Sequence, residues 1–443
     1  MSEPIEAFKN AFRIPELKQR IIFSLVMLAV YRLGCHIPAP GVDGAALAEK
    51  IGGGGSILGF YDMFTGQAFS NATVFALGIM PYITASIILS LLVPVIPALE
   101  ALQKSGQEGQ KKITEYTRYG TIVLCLVQSV AIGFFLQGQG SEIVPNPGIG
   151  FLLMCVITFT TGTAFIMWLG EQISEHGIGN GISLIIFASI ISSMPAAIVN
   201  LFRMIGNGQI NIFVAIVLVF LMVVVIMGAI LVTTGQRRIP VQYPRQVKGR
   251  RVMGGQRSYL PLRVNQAGVI PIIFSSSLLM LPGMIGQGIS NVTIASIINN
   301  IASPNYLIHN VLYAVLIVFF SFFYTAITFN PVELADNMKK YGGVIVGVRP
   351  GKATADYLNR VMTRITLVGS LFLTAVALLP SIVYVVLNVP DWTIVQFFGG
   401  TSLLILVGVA LDTIKQIEQH LTMRHYDGFS GKSGGRIRSR RGG

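Results

Sequence analysis

INIFVAIVLVFLMVVVIMGAILVTTGQRRIPVQYPRQVKGRRVMGGQRSYLPLR, residues 210–263, sets two opposite chemistries end to end. Residues 210–232 carry no charged side chain. As a helix, 23 such residues are about 35 Å long, enough to cross a hydrocarbon core of roughly 30 Å. Residues 235–263 then hold eight Arg or Lys and no acid. The reading is a membrane span that delivers a strongly basic segment to one membrane face.

The rest of the chain repeats the first half of that pattern. Of 443 residues, 52% are hydrophobic and only 12% charged, with a mean hydropathy of +0.67, far from the composition of a soluble domain. Apolar runs of spanning length recur near 21–37, 72–93, 119–136, 149–170 and 181–201, and after 210–232 near 265–284, 307–329, 365–387 and 393–411. Gly, Pro or charged residues bound each run. The fold class is an all-α integral membrane protein with about ten transmembrane helices, an even number that leaves both termini on one side. About twenty polar or mixed residues precede the first run, and no small-residue cleavage pattern follows it, so it reads as a retained anchor.

The net charge is +13, and its distribution gives the orientation. With the termini and alternate loops placed together, one side holds 29 of the 32 Lys and Arg residues, and the other only Arg32, Lys50 and Arg203. By the positive-inside rule the basic side is cytoplasmic. One inner segment, GEQISEHGIGNG (170–181), has two Glu and no Lys or Arg, which the rule tolerates because loops act in sum.

Several function classes fall away. The middles of the spans lack ionisable side chains, and Arg32, His309, Arg364 and Asp412 lie near span ends, so an ion-coupled transporter of a small solute is only the second reading. HExxH is absent, and none of the five histidines (36, 176, 309, 420, 425) is deep in a span. SGKS at 430–433 has Tyr426 where a phosphate loop needs its first glycine. Glu171, Glu175 and His176 read as a solvated helix end rather than metal ligands, and Cys35, Cys125 and Cys155 show no metal or disulfide spacing. No catalytic residue, metal site or cofactor is expected.

In place of such chemistry the chain carries helix breakers at membrane depth. ALGIMPYITASIILSLLVPVIP (76–97) contains Gly78, Pro81, Pro94 and Pro97; VNQAGVIPIIFSSSLLMLPG (264–283) contains Gly268, Pro271 and Pro282. Carbonyls freed by proline need a neighbouring helix, a hydroxyl or water. Thr84, Ser86 and Ser90 in the first stretch, and Asn265, Gln266 and Ser275–Ser277 in the second, suit a wet interior, a breakable seam or ordinary helix packing. IGGGGSILGFYDMFTGQAFSN (51–71) is too short and Gly-rich to cross, which fits a re-entrant half-helix or an outer loop.

Eight stretches in order, ALGIMPYITASII (76–88), ITEYTRYG (113–120), MWLGEQISEHGIGNGIS (167–183), GQRRI (235–239), NQAGVIPIIF (265–274), FFYTAITFNPVELADNMKK (322–340), VRPGKATADYL (348–358) and FGGTSLLI (398–405), resemble the SecY family. This is the central subunit of the bacterial protein-conducting channel. The resemblance implies an hourglass of two inverted five-helix halves, 1–205 and 206–415, followed by a basic cytosolic tail, 416–443. It implies a pore ring of Ile79, Ile83, Ile186, Ile273 and Ile405; Ile79 and Ile83, one helical turn apart, face the same way. Residues 56–70 match the plug, including Ile57, Leu58, Phe60, Met63 and Phe64. The lateral gate lies between spans two and three and spans seven and eight, with Thr84, Ser86, Ser90, Asn265, Gln266 and Ser275 along it. The loops 235–263 and 330–364 correspond to docking loops, with Arg237, Arg238, Arg245, Lys248, Arg250, Arg251 and Arg349 as contacts.

The partners implied are SecE-like and SecG-like small subunits, a SecA motor ATPase, the translating ribosome, signal sequences and preproteins; anionic lipids are a further partner of the basic loops. The location implied is the bacterial plasma membrane. The sequence departs from the family pattern at GGGGS (52–56), ahead of the plug, and in the basic arm GKSGGRIRSRRGG (431–443).

Overall fold

A computed structural model describes residues 14–51, 57–243, 246–248, 251–253, 257–286, 297–298, 300–301, 303, 306–387, 389 and 392–430. Ten helices supply the spans: α1 (Pro15–Gly34), α4 (Met80–Leu92), α6 (Gln107–Gly138), α7 (Ile149–His176), α8 (Gly181–Gly206), α9 (Ile212–Thr234), α10 (Ile270–Gly286), α11 (Leu307–Thr328), α13 (Lys352–Leu387) and α15 (Thr401–Ser430). Among the described residues five shorter helices punctuate them: α2 (Gly44–Ile51), α3 (Ile57–Thr65), α5 (Pro97–Lys104), α12 (Pro331–Lys340) and α14 (Trp392–Gly399). Seven helices among the described residues are long and apolar enough to cross a membrane unaided. The first, second and seventh spans fall short for visible reasons: α1 is charged at both ends, and α4 and α10 have only 13 and 17 residues.

Local chemistry sets the helix starts. Asn180, Asn211 and Asn330 cap α8, α9 and α12, each side-chain oxygen accepting from backbone N–H groups of the first turn. Pro15, Pro81, Pro97 and Pro331 occupy the first positions of their helices, where the missing N–H costs nothing. Pro81 therefore starts the second span instead of breaking it, contrary to the sequence reading. The sharp break comes at its far end, where α4 and α5 meet at 99° across the Pro94–Pro97 stretch.

Residues 66–79, of which 72–79 are expected at the start of the second span, form a run of turns inside the protein. Gly66, Gln67, Ala72 and Gly78 take positive φ there. Irregular backbone is tolerated at this depth because its polar groups find partners. Ala39 N–H donates to Ala72 O at 2.8 Å, Thr73 N–H to Ala68 O at 2.9 Å, and the Tyr61 hydroxyl to Leu77 O at 2.7 Å. Gly162 makes room for this segment, since a Cβ there would lie 2.1 Å from the Val74 carbonyl oxygen. The tenth span is also interrupted: α14 ends before Gly400 and α15 begins at Thr401, with the Gln396 amide donating to Thr401 Oγ1 at 3.0 Å.

The basic loops are folded. Strands β1 (Gln236–Gln242) and β4 (Arg257–Arg263) pair antiparallel, and β5 (Val344–Ile345) pairs with the other edge of β1 through Val241 and Ile345. Between β1 and β4 in the chain, β2 (Gln246–Lys248) and β3 (Arg251–Met253) pair antiparallel as a separate two-stranded sheet. Strand alternation turns Ile239, Val241 and Leu262 inward onto Ile345, Met338, Leu358, Val361 and Met362. Each large aliphatic side chain buried there contributes about 1.5–3 kcal/mol. The two basic loops are thus one structural unit seated on the first turns of α13, which at 36 residues is about 54 Å long and continues into the membrane.

Candidate functional site

The centre of the molecule is a single buried apolar cluster drawing on both halves of the chain. Ile79, at the head of α4, and Ile83, one turn on, share it with Ile186 of α8, Ile273 of α10 and Ile405 of α15. All five are at most 6% exposed. Met63 and Phe64 of α3 belong to the same cluster, and α3 meets α8 and α10, the helices that carry Ile186 and Ile273. Ile57, Leu58 and Phe60 precede them on α3. Residue 56, where the expected plug begins, lies outside the described residues.

The C-terminal end of α3 is held by atoms from other spans. The Tyr31 hydroxyl of α1 donates to Thr65 O at 3.2 Å and lies 2.7 Å from Ser189 Oγ of α8. Arg32 donates from Nη1 to Gly66 O at 3.1 Å, and Ser402 Oγ of α15 lies 3.1 Å from Met63 Sδ. Asp62 accepts the Ser70 N–H at 2.8 Å, tying the helix to its own linker.

The helices α4 and α10 touch, and α10 also meets α6 and α11. Thr84 donates to Met80 O, Ser275 to Pro271 O, and Ser276 and Ser277 to Ile273 O, so these hydroxyls bond carbonyls of their own helices. Ser86 and Ser90 line a groove of about 280 Å³ with Gln110, Thr114 and Thr117 of α6 and Ile327 of α11. Asn265 and Gln266 are elsewhere. They line a separate polar cavity of about 370 Å³ with Asn180, Asp412 and Gln416, and Asn265 donates to Gly268 O at 2.9 Å, which orders the turn before α10.

On the unit formed by the two basic loops, Arg237 and Arg238 are exposed on β1, and Arg349 is exposed in the turn between β5 and α13. Lys248 and Arg251 flank the β2–β3 turn, while Arg245 and Arg250 lie outside the described residues. Among the described residues no group of three or more His, Cys, Asp or Glu is arranged to hold a metal.

Comparison with known proteins decides the family. The SecY family model matches residues 73–414. The chain belongs to the SecY family. The protein translocase subunit SecY of Thermotoga maritima is 44% identical over 445 residues, covering 98% of this chain and 100% of that protein. The same subunit of Streptomyces coelicolor is 47% identical over 445 residues, covering 96% and 99%. A solved protein-conducting channel superposes with a TM-score of 0.68 at 20% identity, covering 94% of this chain and 98% of its own. Sec61 in the canine ribosome–channel complex gives 0.65 at 19% identity, with 94% and 97% covered.

As a SecY-family member the chain is a multi-pass membrane protein of a protein-conducting channel, and its family is one of channels rather than enzymes. The residues gripping α3 escaped the sequence reading. In sequence Arg32 is only a cation near a span end, and nothing marks Tyr31, Ser189 and Ser402. Their signal is faint: polar side chains next to apolar runs, with partners more than thirty residues away in the chain.

Proposed function

We propose that this chain is the central pore subunit of a general secretory translocon, with its waist at Ile79, Ile83, Ile186, Ile273 and Ile405. The supporting observation is that the α3 side chains Met63 and Phe64 share one buried cluster with those five isoleucines from four spans. Branched apolar side chains around a narrow waist wet poorly, so ions meet a desolvation barrier while a moving peptide pushes them apart. The helix α3 and the linker after it act as the plug. A signal sequence, itself a short apolar helix, enters between α4 and α10 and exchanges water for lipid. Polar contacts would resist that parting, and the hydroxyls of Thr84 and Ser275–Ser277 bond within their own helices.

The halves 1–205 and 206–415 move as the two jaws of the channel, and 416–443 forms the tail. Both termini face the cytoplasm of a bacterial plasma membrane, in line with the 29 of 32 cations on one side. The basic cytosolic unit docks a SecA-type motor or the translating ribosome; solved relatives include Sec61 in a ribosome–channel complex. SecE-like and SecG-like subunits complete the assembly, and anionic lipid headgroups meet the remaining basic surface. The test is reconstitution: purified channel in liposomes, supplied with motor and ATP, moves an unfolded preprotein into the lumen. Uptake of a small solute without preprotein movement would refute the assignment.

A further inference from the structure

We infer that Tyr31, Arg32 and Ser189 form a latch that fixes the plug in its closed position by gripping two main-chain carbonyls at its C-terminal end. The inference rests on the assignment of α3 as the plug and adds what holds it there.

Three observations carry it. The last turn of α3 leaves Thr65 O and Gly66 O without helical partners, and both are taken by side chains of α1. Ser189 Oγ lies 2.7 Å from the Tyr31 hydroxyl and 3.0 Å from Ile185 O of its own helix; when its one hydrogen turns from Ile185 to Tyr31, Ser189 donates to Tyr31 and Tyr31 donates to Thr65. Arg32 adds a cation at a helix C-terminus, the end where the helix dipole favours positive charge.

The backbone is shaped for this grip. Gly66 and Gln67 both take positive φ, of 66° and 69°, which turns the chain so that the carbonyls face α1. A Cβ at Gly66 would lie 2.8 Å from Arg32 Nη1 and 3.2 Å from Ser189 Cα, so the plug end and its holders meet at closest approach. Tyr31 is 1% exposed, and its ring stacks on Phe75 with centroids 6.0 Å apart, so the hydroxyl is held in place from behind. All three holders lie in the N-terminal half of the chain. The C-terminal half reaches the plug through Ser402 at Met63 and through apolar packing. Parting the halves strips the apolar contacts first, and the plug leaves the waist only when the latch lets go.

The test compares Tyr31→Phe, Ser189→Ala and Arg32→Gln, each alone and combined with deletion of residues 57–65. The readout is resting ion conductance in planar bilayers at matched channel content. Tyr31→Phe removes one oxygen and keeps the ring on Phe75, so the fold is preserved. Each single variant is expected to raise resting conductance about fivefold, as loss of one buried hydrogen bond would, and to add nothing once the plug is deleted. If the deletion leaks and the single variants do not, the plug stands and the latch is wrong. Equal increases with and without the plug would place the effect in the spans and also overturn the latch. A deletion that leaves conductance unchanged removes the plug assignment and the latch with it.

Discussion

Arg118 and Glu171, 53 residues apart in the chain, meet through two parallel hydrogen bonds of 2.8 Å, Nε to Oε1 and Nη2 to Oε2. The pair ties α6 to α7 and supplies a cation to the segment 170–181, which has no Lys or Arg of its own. The Arg20 guanidinium adds a second, donating to Gly177 O at 3.3 Å.

The fork geometry makes the first prediction. Arg118 is close to half exposed, so solvent screens the pair and its worth is about 0.2–1 kcal/mol. Arg118→Lys keeps the charge and loses one of two bonds. Arg118→Ala is expected to lower the melting temperature of the solubilised channel by a degree or two, with Arg118→Lys between it and wild type. A Lys variant no more stable than the Ala variant would show that the charge alone contributes nothing.

This pair also marks how far the sequence could be read. Span positions follow from hydropathy, which is local, and each of the ten apolar runs contains helix, although the second becomes helical only at Met80 and the tenth breaks at Gly400. Glu171 was read as a solvated helix end because its partner lies on another helix, and no periodicity reports that distance. The sheet joining 235–263 to 330–364 was missed for a related reason. QRRIPVQ and RSYLPLR alternate weakly, each carries a proline and two arginines, and what orders them is burial against α13. Residues 72–79 deceived in the opposite direction: apolar enough for the start of a span, they are turns because Gly78 permits positive φ and neighbouring elements satisfy the backbone.

The waist gives the second prediction. Ile83 and Ile273 sit on the two helices of the seam, in one buried cluster. Replacing both by Ser removes two branched side chains and adds hydroxyls that hold water, so the dewetting barrier falls. Planar-bilayer conductance of the resting double variant should rise well above wild type. Conductance at the wild-type level would remove these residues from the waist.

The third concerns the cytosolic unit. Val241 is buried on β1 and pairs with Ile345 of the other loop. Val241→Asp places a carboxylate in that small core at a cost of at least about 2 kcal/mol, enough to open a unit of this size. Protease cutting within 235–263 should accelerate and motor docking should fall, while the membrane helices keep their thermal transition. A protease-resistant variant would mean that the two loops hold their shape independently.

Arg349 carries the last. It sits in a turn after β5 and three residues before α13, with its carbonyl accepting from Thr354 Oγ1 at 2.8 Å and Gly351 taking a φ of +98°. The main chain is pinned on both sides while the guanidinium is exposed, so little entropy is lost when its planar fork meets a carboxylate or phosphate. Such a charge-assisted contact is worth roughly 1.5–3 kcal/mol, or about ten- to a hundredfold in partner affinity. Arg349→Glu reverses the charge without touching the sheet, because no buried contact is lost. It should cripple ATP-dependent preprotein translocation into vesicles matched for channel content, while resting ion tightness and the protease resistance of the sheet stay normal. Arg349→Lys should recover only part of the rate, since it keeps the charge and loses the fork, and the recovered part should shrink further as salt screens it. Wild-type translocation by the Glu variant would reduce Arg349 to one of the charges that orient the chain in the membrane.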